Sequence, residues 1–77
     1  MIDPKAALER AITLAGGQTA LAAICGCTQG AVWQMLNKAD PPRLSVQFVL
    51  KVEDALGIPC YELRPDFYPA PVAVANA

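Results

Sequence analysis

The chain has 77 residues, which is enough for one small domain, and 55% of them are hydrophobic. No apolar run approaches the roughly 20 residues that a membrane span requires, and the N-terminal segment lacks the apolar core of a signal peptide. We therefore expect a cytoplasmic protein. The net charge of −1 and the pI of about 5.0 argue against a strongly basic surface for binding nucleic acid.

The acidic residues are distributed unevenly. No Asp or Glu lies between Glu9 and Asp40, and four of the seven acidic residues follow Lys51. The centre of the chain can therefore approach a polyanion, although the chain as a whole is slightly acidic.

Three cysteines, Cys25, Cys27 and Cys60, cannot all pair within one chain, so we expect reduced thiols that pack as small hydrophobic residues. A zinc site at Cys25 and Cys27 would need further ligands, and the chain has no His. A cysteine nucleophile would also lack a base. We therefore expect no metal, no cofactor and no enzymatic activity.

The first helix is predicted to begin at the N-cap Asp3 with Pro4 at its first position, and to end at Gly16-Gly17. Its core-facing residues should be Leu8, Ile12 and Ala15.

Residues 18–37 predict two short helices joined by a tight turn. Gly26 provides the permissive backbone for the turn, and Thr28 suits the N-cap of the helix that follows. Val32 can pack back onto Leu21 and Cys25. Two helices joined in this way make a helix-turn-helix.

This segment resembles the bihelical unit of the lambda-repressor/Cro family. The matching residues are Gln18 at the first helix start, Ala22 and Gly26 at the crossing and turn, Thr28-Gln29 at the second helix start, and Val32 and Met35 at buried positions. The resemblance implies a sequence-specific DNA-binding repressor. Such a small domain gains affinity as a homodimer, which predicts a two-fold operator in double-stranded DNA.

The candidate DNA-binding residues surround the helix at 28–37. Gln18 is expected to grip a phosphate, as a Gln at this position commonly does in the family that the chain resembles. The outward positions of the recognition helix are Thr28, Gln29, Gly30, Trp33 and Gln34, and the two Gln residues suit bidentate contact with adenine. Lys38 and Arg43, in the following loop, are candidate phosphate clamps.

Three of these positions have competing interpretations. Gln18 either grips a phosphate or only caps or solvates the start of its helix. Gly30 either allows close backbone approach to DNA or is a tolerated defect in the helix. Trp33 either contacts DNA or folds back over the loop that begins at Lys38 and covers the edge of the core.

A fourth helix is predicted from the N-cap Ser45 to the residue before Gly57, followed by a one-turn helix within 58–63. Residues 63–69 should lie extended, with Phe67 or Tyr68 docked on the domain. The prediction is thus an all-α domain of four to five helices over residues 1–69 and a flexible tail over residues 70–77.

Two further motifs extend the resemblance. The stretch from Ala15 to Leu21, AGGQTAL, and the stretch from Leu63 to Pro69, LRPDFYP, are similar to the YdaS-type family of prophage regulators. Membership would imply a Cro-like repressor, sometimes described as an antitoxin, with a toxin as a further protein partner. The acidic pI and Trp33 favour a competing hypothesis, a helical protein-interaction module that has kept the fold but lost DNA binding.

Overall fold

The structure, a computed structural model, describes residues 3–69, and these form five α-helices and one 3-10 turn with no β-strand among them. The elements in chain order are α1 (Pro4–Ala15), α2 (Gln18–Cys25), α3 (Gln29–Asn37), the 3-10 turn (Val46–Phe48), α4 (Val49–Leu56) and α5 (Cys60–Leu63). The predicted all-α class is confirmed. The predicted tail, residues 70–77, lies outside the described residues. In the described part, no helix has the length and apolar character to cross a bilayer.

The helix ends form where local sequence signals predicted them. The Asp3 carboxylate accepts a hydrogen bond from the Lys5 N–H at 3.0 Å and caps α1. Gly16 and Gly26 end α1 and α2 with φ of 106° and 75°, a left-handed conformation that side chains other than glycine disfavour. The Thr28 hydroxyl accepts from the Ala31 N–H at 3.2 Å and caps α3. These caps separate the first three helices into distinct rigid elements.

All five helices contribute to one hydrophobic core. Its buried residues are Ala7, Leu8, Ala11, Leu21, Ala22, Cys25, Val32, Met35, Leu44, Val49, Val52, Ile58 and Leu63. Leu8, Val32 and Met35 are buried as predicted, whereas Ile12 and Ala15 are only partly buried. Burial of Val32 with Leu21 and Cys25 fixes α3 against α2, because these side chains belong to the same closely packed cluster.

The predicted N-cap position of Ser45 is confirmed for the 3-10 turn that runs directly into α4, but a side-chain cap is not formed. The α-helix itself begins at Val49. Leu44, the residue before Ser45, is completely buried, and the Ser45 N–H points to the Met35 sulfur at 3.5 Å. Tertiary packing of Leu44 and Met35 therefore directs this backbone, and the capping preference of serine does not.

The sequence predicts that the segment after α5 lies extended over the domain, but this segment forms a turn. The Arg64 carbonyl accepts from the N–H groups of Phe67 at 3.1 Å and Tyr68 at 2.8 Å. The Arg64 guanidinium donates to both carboxylate oxygens of Asp66, at 2.9 and 2.7 Å, and to the Leu44 carbonyl at 3.2 Å. Tyr68 packs against the core, whereas Phe67 stays 57% exposed. Of the two predicted docking residues, Tyr68 is the one that docks.

Candidate nucleic-acid interface

The helix-turn-helix consists of α2, a turn at Gly26 and α3. The Cys27 N–H donates to the Ala22 carbonyl at 3.0 Å, which closes the end of α2. From α4, the Lys51 ammonium donates to the Cys25 carbonyl at 3.3 Å. A cation at a helix C-terminus interacts favourably with the helix dipole. Lys51, which the sequence analysis left out of the candidate site, thus ties the turn to the rest of the domain.

The starts of α2 and α3 are joined by a pair of glutamines. The Gln29 amide nitrogen donates to the Gln18 amide oxygen at 2.6 Å, although the two residues are 11 positions apart. Gln18 is half-buried and Gln29 is exposed. The sequence predicted a separate contact for each residue and gave no indication of the bond between them. The pair fixes the side-chain direction of Gln29 at the point where α3 meets solvent.

The N-terminus of α2 lies directly beside this pair. Its N-cap is Gly17, which makes no side-chain capping bond, so no side-chain oxygen caps the first-turn N–H groups. Such N–H groups favour an anion because they add to the positive end of the helix dipole. The phosphate contact of Gln18 stays a prediction, and the uncapped start of α2 has the chemistry that such a contact needs.

The outward face of α3 carries the other candidates on that helix. Gly30, Trp33 and Gln34 are exposed, and Asn37, which the sequence analysis did not select, donates from its side chain to the Trp33 carbonyl at 2.9 Å. Thr28 is exposed at the start of α3. Its hydroxyl oxygen is the acceptor in the cap, so its hydroxyl hydrogen remains available to donate a hydrogen bond. The structure therefore brings the predicted residues of α2 and α3 together on one surface, which we call the recognition face.

Trp33 is 44% exposed and lies outside the core cluster. The Lys38 ammonium is 5.9 Å from the centroid of its ring, within the range of a cation–π interaction. Trp33 thus contacts the residue at which the loop begins, in agreement with one part of the folded-back alternative, and its contact with DNA stays a prediction. The pair extends the recognition face past the end of α3.

The Arg43 guanidinium makes a hydrogen bond within its own loop, so it is less free to bind a phosphate than the sequence indicated. Its guanidinium donates to the Pro41 carbonyl at 2.6 Å, and the residue is half-buried. Its Nε is buried and has no hydrogen-bond partner among the described residues. The DNA contact assigned to Arg43 stays a prediction, with less of the guanidinium available than the sequence indicated.

An open cleft of about 450 Å³ runs beside α3. Gln34 and Lys38 line one side, and Ser45, Gln47 and Phe48 line the other. Gln47 is exposed and is a polar residue that the sequence analysis did not select. The sequence signal that could have identified it is a glutamine two residues before the start of α4.

The recognition face is nearly neutral. Its amide and hydroxyl side chains come from the part of the chain without acidic residues, and Lys38 supplies positive charge. Arg10, the other cation in that part of the chain, pairs with Glu62 at 3.0 Å. Hydrogen bonding, and not charge, is therefore the main means of recognition that this surface offers.

The Cys25 thiol is buried behind the turn. Its burial and the neighbouring Cys27 raise the pKa of this thiol from 9.0 to about 11, so it stays protonated at neutral pH. Within residues 3–69, no three His, Cys, Asp or Glu side chains are arranged to hold a metal ion. Cys25 acts here as a small core residue.

Comparison with known proteins gives one family match. The family model described as bacterial toxin YdaS matches residues 8–72 of the chain. No curated protein and no solved structure matches it. The matched range contains the helix-turn-helix and both motifs on which the family resemblance rests, Ala15 to Leu21 and Leu63 to Pro69.

Proposed function

The chain belongs to the bacterial toxin YdaS family, small proteins of the prophage-regulator and toxin–antitoxin kind, and within it we propose that this protein is a sequence-specific DNA-binding transcriptional regulator. We propose further that it acts as a Cro-like repressor of prophage origin, in the cytoplasm and on the nucleoid when it is bound to DNA.

The glutamine pair is the observation that carries this proposal. One N–H of Gln29 is used by Gln18, which leaves its second N–H and its oxygen free. These two groups match N7 and N6 of adenine in the major groove. The amide nitrogen of Gln18 is left to meet a phosphate beside the uncapped start of α2. Each polar group of the pair thus has a partner in a complex with DNA.

We propose that the protein binds as a homodimer to a two-fold operator. A single recognition face with few cations makes few phosphate contacts, and doubling it raises the affinity. The two α3 helices would then lie about 34 Å apart and enter successive major grooves. Leu50 is 58% exposed, and with the half-buried Phe48 it is our candidate for the contact between subunits. A dimer on a promoter would exclude polymerase.

The family's description as a toxin is compatible with this role, because a DNA-binding protein harms the cell when it occupies a promoter that the cell needs. The exposed Trp33 favours a second candidate function, an antitoxin-type protein-interaction module that binds a toxin or another protein. Tryptophan is enriched among the residues that contribute most to protein interfaces. In that case Trp33 would contact a protein and DNA binding would be weak or absent.

A DNA titration separates the two functions. The purified chain is titrated against fragments from upstream of its own gene and against random duplexes, each at two salt concentrations. Retention of one fragment over random DNA, weakened by salt, is expected of the repressor. A folded protein that retains no fragment at low salt refutes the repressor proposal. Capture of a protein partner that is lost in Trp33→Ala would then support the interaction module.

A further inference from the structure

One glycine of the described residues is not required by the fold. Gly16, Gly17, Gly26 and Gly57 have positive φ, a conformation in which other residues are strained. Gly30 has no positive φ and lies in the first turn of α3. A Cβ added there would meet the Thr28 hydroxyl oxygen at 3.8 Å, an ordinary van der Waals contact. Alanine would therefore fit and would favour the helix.

Gly30 leaves a notch in the recognition face. Trp33 and Gln34 follow it by three and four positions, so they border it on the same side of α3. Gln29 precedes it, with its amide direction fixed by Gln18. Apart from the adjoining residues and the backbone of α3, the Thr28 hydroxyl oxygen is the only atom of the described residues within 4 Å of the position that a Cβ would take, so the notch has room for one methyl-sized group. The notch thus suits a small apolar group on the partner.

We propose that the Gly30 notch receives the 5-methyl group of a thymine that lies next to the adenine contacted by Gln29, so that Gly30 determines specificity at that base pair. This inference rests on the proposed DNA-binding function. The thymine methyl is the apolar group that base edges present in the major groove. An α-carbon without a side chain lets it approach α3 closely.

The test uses duplexes selected from a random pool by the wild-type chain. Each thymine of the selected duplex is replaced in turn by deoxyuridine, which lacks the methyl group. At one thymine in each half-site, the replacement should weaken wild-type binding about three- to fivefold, as expected for one buried methyl group. Gly30→Ala should bind the thymine duplex about tenfold more weakly than the wild-type chain does, because the alanine methyl occupies the notch. It should bind the deoxyuridine duplex at least as tightly as the wild-type chain does.

Two controls separate this effect from a change in folding. Gly30→Ala should raise the melting temperature by about 4 °C, because alanine is the better helix former. Ala55→Ser changes an exposed position on α4 and should leave the preference for thymine over deoxyuridine intact. If no thymine responds to the replacement, or if Gly30→Ala keeps the wild-type preference, the inference is wrong. A pool that yields no selected duplex refutes the proposed DNA-binding function itself.

Discussion

Replacing Gln29 with alanine tests the proposed recognition chemistry most directly. The substitution would remove both proposed hydrogen bonds to adenine, and a bidentate contact of this kind contributes about 1–3 kcal/mol to base discrimination. Operator affinity should therefore fall about 5- to 150-fold, with a smaller loss on random DNA. Gln29 is exposed, so the free energy of unfolding should change by less than about 0.5 kcal/mol.

The hydrogen bond between Gln18 and Gln29 allows a second quantity to be measured, the coupling free energy between the two residues in operator binding. Gln18→Ala removes the acceptor that holds the Gln29 amide at 2.6 Å and should cost about 1 kcal/mol of operator binding. Part of that loss arises because the Gln29 amide is no longer oriented by Gln18. The double variant should therefore lose less binding free energy than the sum of the single losses, by about 0.5 kcal/mol or more.

The assay is a fluorescence-anisotropy titration of labelled operator and random duplexes at one fixed salt concentration. Thr13→Ala on α1 removes an exposed hydroxyl that donates to the Glu9 carbonyl and is the control for loss of a polar side chain. Equal losses on operator and random DNA for Gln29→Ala would contradict base readout. Strictly additive losses in the double variant would contradict the role of Gln18 in orienting Gln29.

Three further predictions concern charge. First, with Lys38 and Arg43 as the candidate clamps of each subunit, the slope of log affinity against log salt for a dimer should be shallow, about −2 to −4, and a slope near −8 would contradict this. Second, hydrogen bonds from Arg64 lower the pKa of the Asp66 carboxyl from 3.8 to about 2. Because the folded-state pKa is the lower one, this stabilisation is complete above the unfolded pKa and is lost as the pH falls from about 3.8 to about 2. The difference in melting temperature between wild type and Asp66→Asn should shrink over that range, and a constant difference would be contrary to expectation. Third, Lys51→Met removes the bond to the Cys25 carbonyl and should lower the free energy of unfolding in denaturant titrations by about 0.5 kcal/mol. Lys5→Met, at an exposed position of α1, should have no such effect.

The sequence predicted those parts of the fold that local chemistry decides. Asp3, Gly16, Gly26 and Thr28 mark helix ends because each satisfies backbone groups within a few residues of itself. Ser45 carries the same kind of signal, yet its side chain makes no capping hydrogen bond at the 3-10 turn that it precedes. Its backbone conformation depends on distant packing, which a local pattern does not contain.

The candidate site was predictable by residue type but not by its contacts. Helical spacing was enough to place Trp33 and Gln34 outward. The bond from Gln29 to Gln18 and the bond from Lys51 to the Cys25 carbonyl each join two helices. Such bonds depend on how the helices cross, and the sequence pattern specifies which faces are apolar without specifying the crossing geometry.

Contact between the two ends of the described chain has a consequence for the order in which the protein is completed during synthesis. Arg10 of α1 pairs with Glu62 of α5, and Leu8 shares the core with Leu63. Arg64 supports the Leu44 carbonyl, in the loop that follows α3. A nascent chain from which residues 62–64 have not yet left the ribosome holds α3 with an incomplete core behind it. The recognition face is therefore complete only after residue 64 has left the ribosome, and a chain truncated before Leu63 should be removed by proteolysis.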